Sequence, residues 1–417
     1  MDYAKYDALY GHMSSKELMQ HLQKKNTEEA KRAKQEGRLV CWSTSITQQE
    51  LMETFDICTV YPENHAAATA ARKQSQKYLD AAEGAGYSID NCSYARIGLG
   101  YTELLEEMEE RELPAPDLVM CSSNICYTIV KWFENVALKL GVPMIYIDMP
   151  FAYERQPKDS NIQYVAEQVR ESIIPRLEEI TGKKFDKEKF RRICETSNEV
   201  VKWWKAACEV NRAVPVPMCG FDMFNYMALV VCARGQEEGA YLFRKWYFEL
   251  KEKVEKGIGP WPDQEEKYRI IWDGIACWPN LSFTYKLLKK YGVNLVASTY
   301  PNGWYIQYEP GSMESFAEGY YHPYFVRSLD EGVDRLKRLV EDCRADGIIY
   351  HSNRSCKIMD FRQYETQRQI EKLTGVPSVM FDGDQGDPRV FSEAQFETRL
   401  QALIEMMEAR KAQKEGM

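Results

Sequence analysis

The chain has 417 residues, 44% apolar and 28% charged, with a formal net charge of −9 at pH 7. That length supports two or three domains, each with a full core. The acidic balance, with no stripe of Lys and Arg interleaved with aromatics, excludes a general nucleic-acid binder, and the longest apolar run, Met227 to Ala233, is too short to span a bilayer.

The opening Met1-Asp-Tyr-Ala-Lys-Tyr6 lacks the basic and apolar regions of a signal peptide, so a cytoplasmic location is expected. Residues 1–36 read as an exposed helical extension, opening on a Ser14 cap and ending at Gly37. Arg38 to Trp42 reads as a strand, Gln48 to Phe55 as a short amphipathic helix, and Ile57 to Tyr61 as a second strand stopped by Pro62. A third strand ends at Cys121, and a polar turn, Ser122 to Cys126, leads into a helix. A fourth strand runs from Gly141 to Asp148. Short apolar runs alternating with helices are the βαβ signature of a parallel sheet.

From 155 to 265 long charged amphipathic stretches replace the short apolar runs, which predicts a helical bridging segment. The first pattern then returns. Tyr268 to Trp278 and Val293 to Pro301 read as strands, followed by a strand through Tyr350 and the turn His351 to Cys356. A helix and a last strand, Gly375 to Asp382, complete the repeat. The acidic loop Phe381 to Pro388 lacks the spacing and terminal Glu of an EF-hand and reads as a turn. Beyond Pro388 a helix capped at Ser392 runs to about Lys414.

The expected fold class is therefore α/β, with two Rossmann-like parallel-sheet modules related by a diverged duplication and joined by a helical segment. The expected domains are 1–36, 37–154 with Cys92 and Cys126, 155–265, and 266–417 with Cys356. Cys126 and Cys356 then hold equivalent places, just beyond a strand's carboxyl end, where open parallel sheets bind ligands.

Twelve cysteines without a secretory signal are expected to be reduced. Cys41, Cys58, Cys194, Cys208, Cys219, Cys232, Cys277 and Cys343 sit in apolar, helical, strand or Pro-rich-turn contexts and read as small buried hydrophobes. Cys92, Cys126 and Cys356 differ, because turn-forming polar residues surround them. A helix capped by Ser123 or Asn124 carries Cys126 in its first turn, and Ser355 and Cys356 open another beside Arg354 and Lys357; such settings lower a thiol's pKa. Three thiolates suit a metal centre with one position left open, iron–sulfur, zinc or copper(I). Three cap and loop cysteines without metal fit the same spacing. No CxxC pair is present, and no GxGxxG or Walker sequence suggests that the chain holds nucleotide phosphates. Other polar groups fall at strand ends: Ser45 is a candidate hydrogen-bond donor, and Glu63 and His65 are candidate acid/base groups or ordinary loop residues.

At these residues the chain resembles the α subunits of 2-hydroxyacyl-CoA dehydratases, in the wider group that includes benzoyl-CoA reductases. The resemblance rests on Cys41-Trp-Ser-Thr-Ser45, Tyr61-Pro-Glu-Asn-His-Ala-Ala67, Asp90-Asn-Cys-Ser-Tyr-Ala-Arg96, Asn124-Ile-Cys126, Gly220-Phe-Asp-Met-Phe-Asn-Tyr226, Gly274-Ile-Ala-Cys-Trp-Pro279, Asn353-Arg-Ser-Cys-Lys357 and Asp382-Gly-Asp-Gln-Gly-Asp-Pro-Arg389. It implies a cytoplasmic lyase of anaerobic amino-acid fermentation. It also implies a homologous β subunit and a separate ATP-dependent iron–sulfur activator that injects one electron. A [4Fe–4S] cluster would be held by Cys92, Cys126 and Cys356, its open iron taking the acyl-CoA thioester oxygen. A ketyl radical would then lose the 2-hydroxyl and a C3 proton. Ser45 would contact the thioester or hydroxyl region, Glu63 the leaving hydroxyl, and His65 would help bind substrate. The chain reads Cys121-Ser-Ser-Asn124 where many such proteins read Cys-Cys-Asn-Asn, which alters the turn presenting Cys126. Glu265 to Arg269 and Val296 to Tyr300 lean toward the ring-reducing branch. A benzoyl-CoA-type reductase subunit and a non-catalytic electron-transfer subunit are the alternatives.

Overall fold

The computed structural model describes residues 1–323 and 327–415. The first sheet holds β1 (Val40–Ser43), β2 (Cys58–Val60), β3 (Leu118–Ser122) and β4 (Met144–Ile147) in the order β2-β1-β3-β4. The second holds β5 (Tyr268–Asp273), β6 (Val293–Ser298), β7 (Gly347–Asn353) and β8 (Ser378–Gly383) in the order β6-β5-β7-β8. All pairings are parallel, and the two orders are the same when the strands are matched in turn. The register sets Cys41 beside Thr59 and Leu118, and Trp272 beside Ser298 and Ile349. Helices cover the strands, so runs such as Leu118-Val-Met-Cys121 are buried throughout rather than alternating.

Strand ends differ from expectation in the second sheet. β5 stops at Asp273 rather than Trp278, because Gly274 turns the backbone to φ +110°. Pro279 then helps set a short 3-10 turn, Trp278–Asn280. β6 stops at Ser298, and Pro301 opens a second such turn, Pro301–Trp304. Both turns carry a tryptophan toward the first sheet's mouth.

The amino-terminal segment forms two helices, Tyr3–Tyr10 and Ser15–Gln35, and Ser14 with Glu17 makes a full capping box. It is not the exposed extension expected. Leu18, Met19, Leu22, Ala30 and Ala33 are buried, and Ser15 bonds the Tyr226 hydroxyl at 2.8 Å. The charges that suggested exposure lie on one face of an amphipathic helix.

The segment between the sheets is helical: Asp159–Gln168, a π turn at Val169–Ile173, Ile174–Thr181, Lys187–Glu209, Gly220–Cys232 and Glu237–Glu255. The π turn directly precedes Pro175, which has no N–H to continue the α ladder. Trp246 is the packing centre here, with its ring 4.0 Å from Tyr226 and parallel to it, and 5.9 Å from Trp204. The closing helix is Glu393–Glu415. Among the described residues no helix is long and apolar enough to cross a membrane.

The two halves are tied directly. The Ser93 N–H donates to Ser355 Oγ at 3.0 Å, and buried Arg96 donates to Glu83 at 2.7 Å and to Asp387 at 3.0 Å. Arg389 closes that network on the same two acids.

Candidate active site

Cys92, Cys126 and Cys356 each occupy the cap position of a helix: Ser93–Glu103, Tyr127–Leu140 and Lys357–Thr374. Cys126 and Cys356 are therefore the caps themselves, where Ser123 or Asn124 was expected to cap the first helix with Cys126 inside its first turn. Asn124 is fully buried and donates instead to the Tyr320 carbonyl at 3.2 Å, bridging to the second half. The cap positions bring the three thiols within electrostatic reach of one another. Each senses the others: Cys126 acts electrostatically on Cys92, and both act on Cys356.

Burial is the main influence on these thiols and outweighs the helix termini. It raises Cys92 to about 12 and Cys126 to about 11, and holds Cys356 well above its ordinary value. The lowered pKa expected from the helix ends is not met, since removing a thiolate from water costs more than one turn of amides returns. The opposing pull is nonetheless built in. Backbone N–H groups of Tyr94 and Ala95 reach Cys92, those of Thr128 and Ile129 reach Cys126, and that of Met359 reaches Cys356. Gln385 donates to Cys92 Sγ at 3.3 Å. Thiolates here would be stabilised once a cationic centre compensates their burial. Among the described residues no three His, Cys, Asp or Glu side chains are gathered for a single metal ion.

Ser45 and Glu63 meet beside this point. Ser45 follows β1, and Glu63 lies in the first turn of the helix Pro62–Ala71 after β2, whose Pro sits at the first helical position. Glu63 Oε2 accepts the Ser45 N–H at 2.5 Å. Burial raises the Glu63 carboxyl to about 7, against the lowering pull of Ser45. Glu63 acts electrostatically on Cys126 and on Tyr94, which ties the acid to the cysteine cluster. His65, two residues along the same helix, contributes to the cavity wall but points its Nε2 at Glu112, 3.3 Å away, and packs its ring 4.7 Å from Tyr101.

Ser45, Glu63 and His65 line a cavity of about 930 Å³. Its inner wall is aromatic. The Trp304 indole donates to the Ser45 carbonyl at 3.4 Å, and Trp278 donates to the Tyr94 hydroxyl. Tyr300 stands 5.2 Å from Trp304, and Phe224 5.9 Å from Trp278. Sequence reading missed this wall, because Tyr94, Phe224, Trp278 and Trp304 come from four separate segments. It also missed a buried network that fixes the Ser45 loop. Glu50, fully buried, accepts hydrogen bonds from Ser197 at 2.6 Å, Tyr308 at 2.7 Å and Tyr320 at 2.5 Å. Arg234 lies 3.4 Å from Glu50 and donates to the Thr47 carbonyl at 3.0 Å. A polar residue at position 50, inside a short helix, carried no signal of burial.

The family model described as 2-hydroxyglutaryl-CoA dehydratase, D-component, matches residues 15–407. The chain is 45% identical to the (R)-2-hydroxyisocaproyl-CoA dehydratase alpha subunit of Clostridioides difficile, over 92% of this chain and 94% of that one. It is 40% identical to the lactoyl-CoA dehydratase subunit alpha of Anaerotignum propionicum, over 96% and 98%. It is 27% identical to a benzoyl-CoA reductase subunit of Thauera aromatica, over 87% of each chain.

Proposed function

The chain belongs to the 2-hydroxyglutaryl-CoA dehydratase D-component family, and from that premise we propose that it is the α-type subunit of a 2-hydroxyacyl-CoA dehydratase, a hydro-lyase working with a partner subunit. The finer proposal is that it removes water from an (R)-2-hydroxyacyl-CoA to give a 2-enoyl-CoA. A homologous β subunit and an ATP-dependent activator would be its partners.

What supports this reading is that Cys92, Cys126 and Cys356, each a helix cap, are electrostatically coupled, and that Glu63, which accepts the Ser45 N–H, acts on Cys126. Three sulfur donors with inward-facing amides fit a [4Fe–4S] cluster that leaves one iron without a protein ligand. When bound, the cluster would supply an electron-accepting iron and one-electron chemistry.

The chain's own groups account for the rest. The Ser45 N–H fixes Glu63 Oε2, and the Ser45 side chain bonds the same carboxyl. With a pKa near 7, Glu63 keeps its proton in a substantial share of molecules at neutral pH and can give it to the departing 2-hydroxyl, which leaves as water. The Ser45 hydroxyl is placed to bond the thioester or hydroxyl region, and the aromatic wall excludes bulk water. His65 acts from the wall, holding the helix that carries Glu63 against Glu112 and Tyr101. The ring-reducing alternative is the weaker one, since the dehydratase relatives match at higher identity and greater coverage.

The test is iron, acid-labile sulfide and electron paramagnetic resonance on anaerobically purified protein with its β subunit, with and without a 2-hydroxyacyl-CoA. Cubane iron whose spectrum shifts with the thioester is expected. Folded, air-protected protein lacking iron would overturn the cluster assignment.

A further inference from the structure

The family reading leaves the acyl chain open; the cavity narrows it. We propose that the substrate's acyl side chain is apolar and uncharged, seated against Phe224, Trp278, Tyr300 and Trp304, and that the site rejects dicarboxylic 2-hydroxyacyl thioesters. This rests on the dehydratase reading and names its substrate class.

Charge in the cavity varies with depth. The inner end of the cavity is located by contacts: Trp304 reaches the Ser45 carbonyl, Trp278 bonds Tyr94, and Tyr94 senses both Glu63 and Cys92. The aromatic wall therefore surrounds the reacting end of a bound thioester. Phe224, Met227 and Leu281 extend it with further apolar surface.

No lysine or arginine lines this inner end among the described residues. The lining cations are Lys24, Lys31, Arg38 and Arg72. The side chains of Lys24, Arg38 and Arg72 are 78%, 38% and 47% exposed, and Lys31 is exposed as well, so all four stand at the rim. Arg38 and Arg72 are moreover ion-paired with Glu29 and Glu112. Buried Arg234 is turned into the Glu50 network. Buried His65, also in the lining, is turned to Glu112, and the carboxylic acids of the lining include Glu53 and Glu63. Burial, reinforced by Glu50, raises Glu53 to about 8, and burial raises Glu63 to about 7. A second substrate carboxylate placed here would lose its hydration and meet no cation, which is strongly unfavourable. An aliphatic or aromatic side chain would gain from the same wall.

The experiment compares equilibrium binding to the cluster-loaded heterodimer, held without activator so that nothing turns over. The probes are (R)-2-hydroxyisocaproyl-CoA and (R)-2-hydroxyglutaryl-CoA, followed by calorimetry and by tryptophan fluorescence. The apolar thioester should bind more tightly by on the order of a hundredfold, and its binding should perturb the emission of Trp278 and Trp304. Equal or tighter binding of the dicarboxylate would overturn this proposal and leave the dehydratase reading standing. Binding of neither thioester would bring down the dehydratase reading and this proposal with it. Leu281→Arg, at the partly exposed edge of the wall, should shrink the preference by about tenfold by giving the second carboxylate a partner. A folded Leu281→Arg protein with an unchanged preference would overturn the seating of the acyl chain against this wall.

Discussion

The two halves repeat one scaffold but divide the chemistry unequally. In the first, β2 leads to Tyr61-Pro62-Glu63-Asn64; in the second, β6 leads to Tyr300-Pro301-Asn302-Gly303. The first Pro opens a ten-residue helix that presents Glu63 to the cavity, and the second opens a short turn ending in Trp304. The strand ends beside them diverge in the same sense. Ser45 leaves its N–H for Glu63, whereas Asp273 at the end of β5 is fully buried, accepting from Thr299 and from Gln363, both at 2.8 Å. One half carries the acid and the other a wall, while each supplies a capping cysteine at the equivalent position. The lesson is that a duplicated fold conserves where a site can form more readily than what the site contains.

The largest effect should appear where the halves are alike. Cys126→Ala and Cys356→Ala should each drop iron and sulfide content to background and abolish turnover, with circular dichroism unchanged. Full iron in one variant alone would break the equivalence of the two positions. Glu63→Gln tests where the halves differ. It should lower kcat by about 10²–10³-fold, the usual contribution of a positioned acid, whereas Asn302→Ala at the matching place should cost far less. Comparable losses in steady-state assays would show that the chemistry is shared after all.

The pH dependence sharpens the same contrast. Glu63 has an ordinary value of 4.5 and lies near 7 in the folded chain, so across that interval the folded state binds more protons than the unfolded one. Stability contributed by the protonated acid is full below about 4.5 and is lost as pH rises to about 7, on the order of 3 kcal/mol. Denaturant titrations at pH 5 and 7.5 should show this loss in the wild type and a smaller one in Glu63→Gln. Glu53, raised to about 8, continues the decline in both proteins. The wild-type rate should fall as pH rises through about 7, where Glu63 gives up its proton. The smallest expected effect is mechanical. Arg96→Met unties the Cys92 segment from Asp387, and because Arg389 still bonds that acid the loss should be about 1–3 kcal/mol by chemical denaturation.

Much of the fold was legible in the chain. Buried parallel strands announce themselves as short apolar runs, so both sheets, the helical bridge and the Ser14 and Ser392 helix starts were readable; Cys92, Cys126, Cys356, Ser45 and Glu63 stood out by residue type and by their place at strand and helix ends. Strand ends at Trp278 and Pro301 were misplaced, because an apolar run shows a buried segment but not where a positive-φ glycine or a proline turns it. The amino-terminal helices looked exposed, because charge on one face hides an apolar stripe on the other.

Sequence determined the element types, since periodicity is a local property, and the kinds of chemistry available, since donor and acid identities are written residue by residue. Only the tertiary structure decided that three distant helix caps are electrostatically coupled, that burial outweighs the helix termini at those thiols, and that Glu63 rises to about 7. It alone assembled Tyr94, Phe224, Trp278 and Trp304 into one wall and turned Glu50 inward to Arg234, Tyr308 and Tyr320. Desolvation and convergence are properties of neighbours brought together from far along the chain, and no local pattern encodes them.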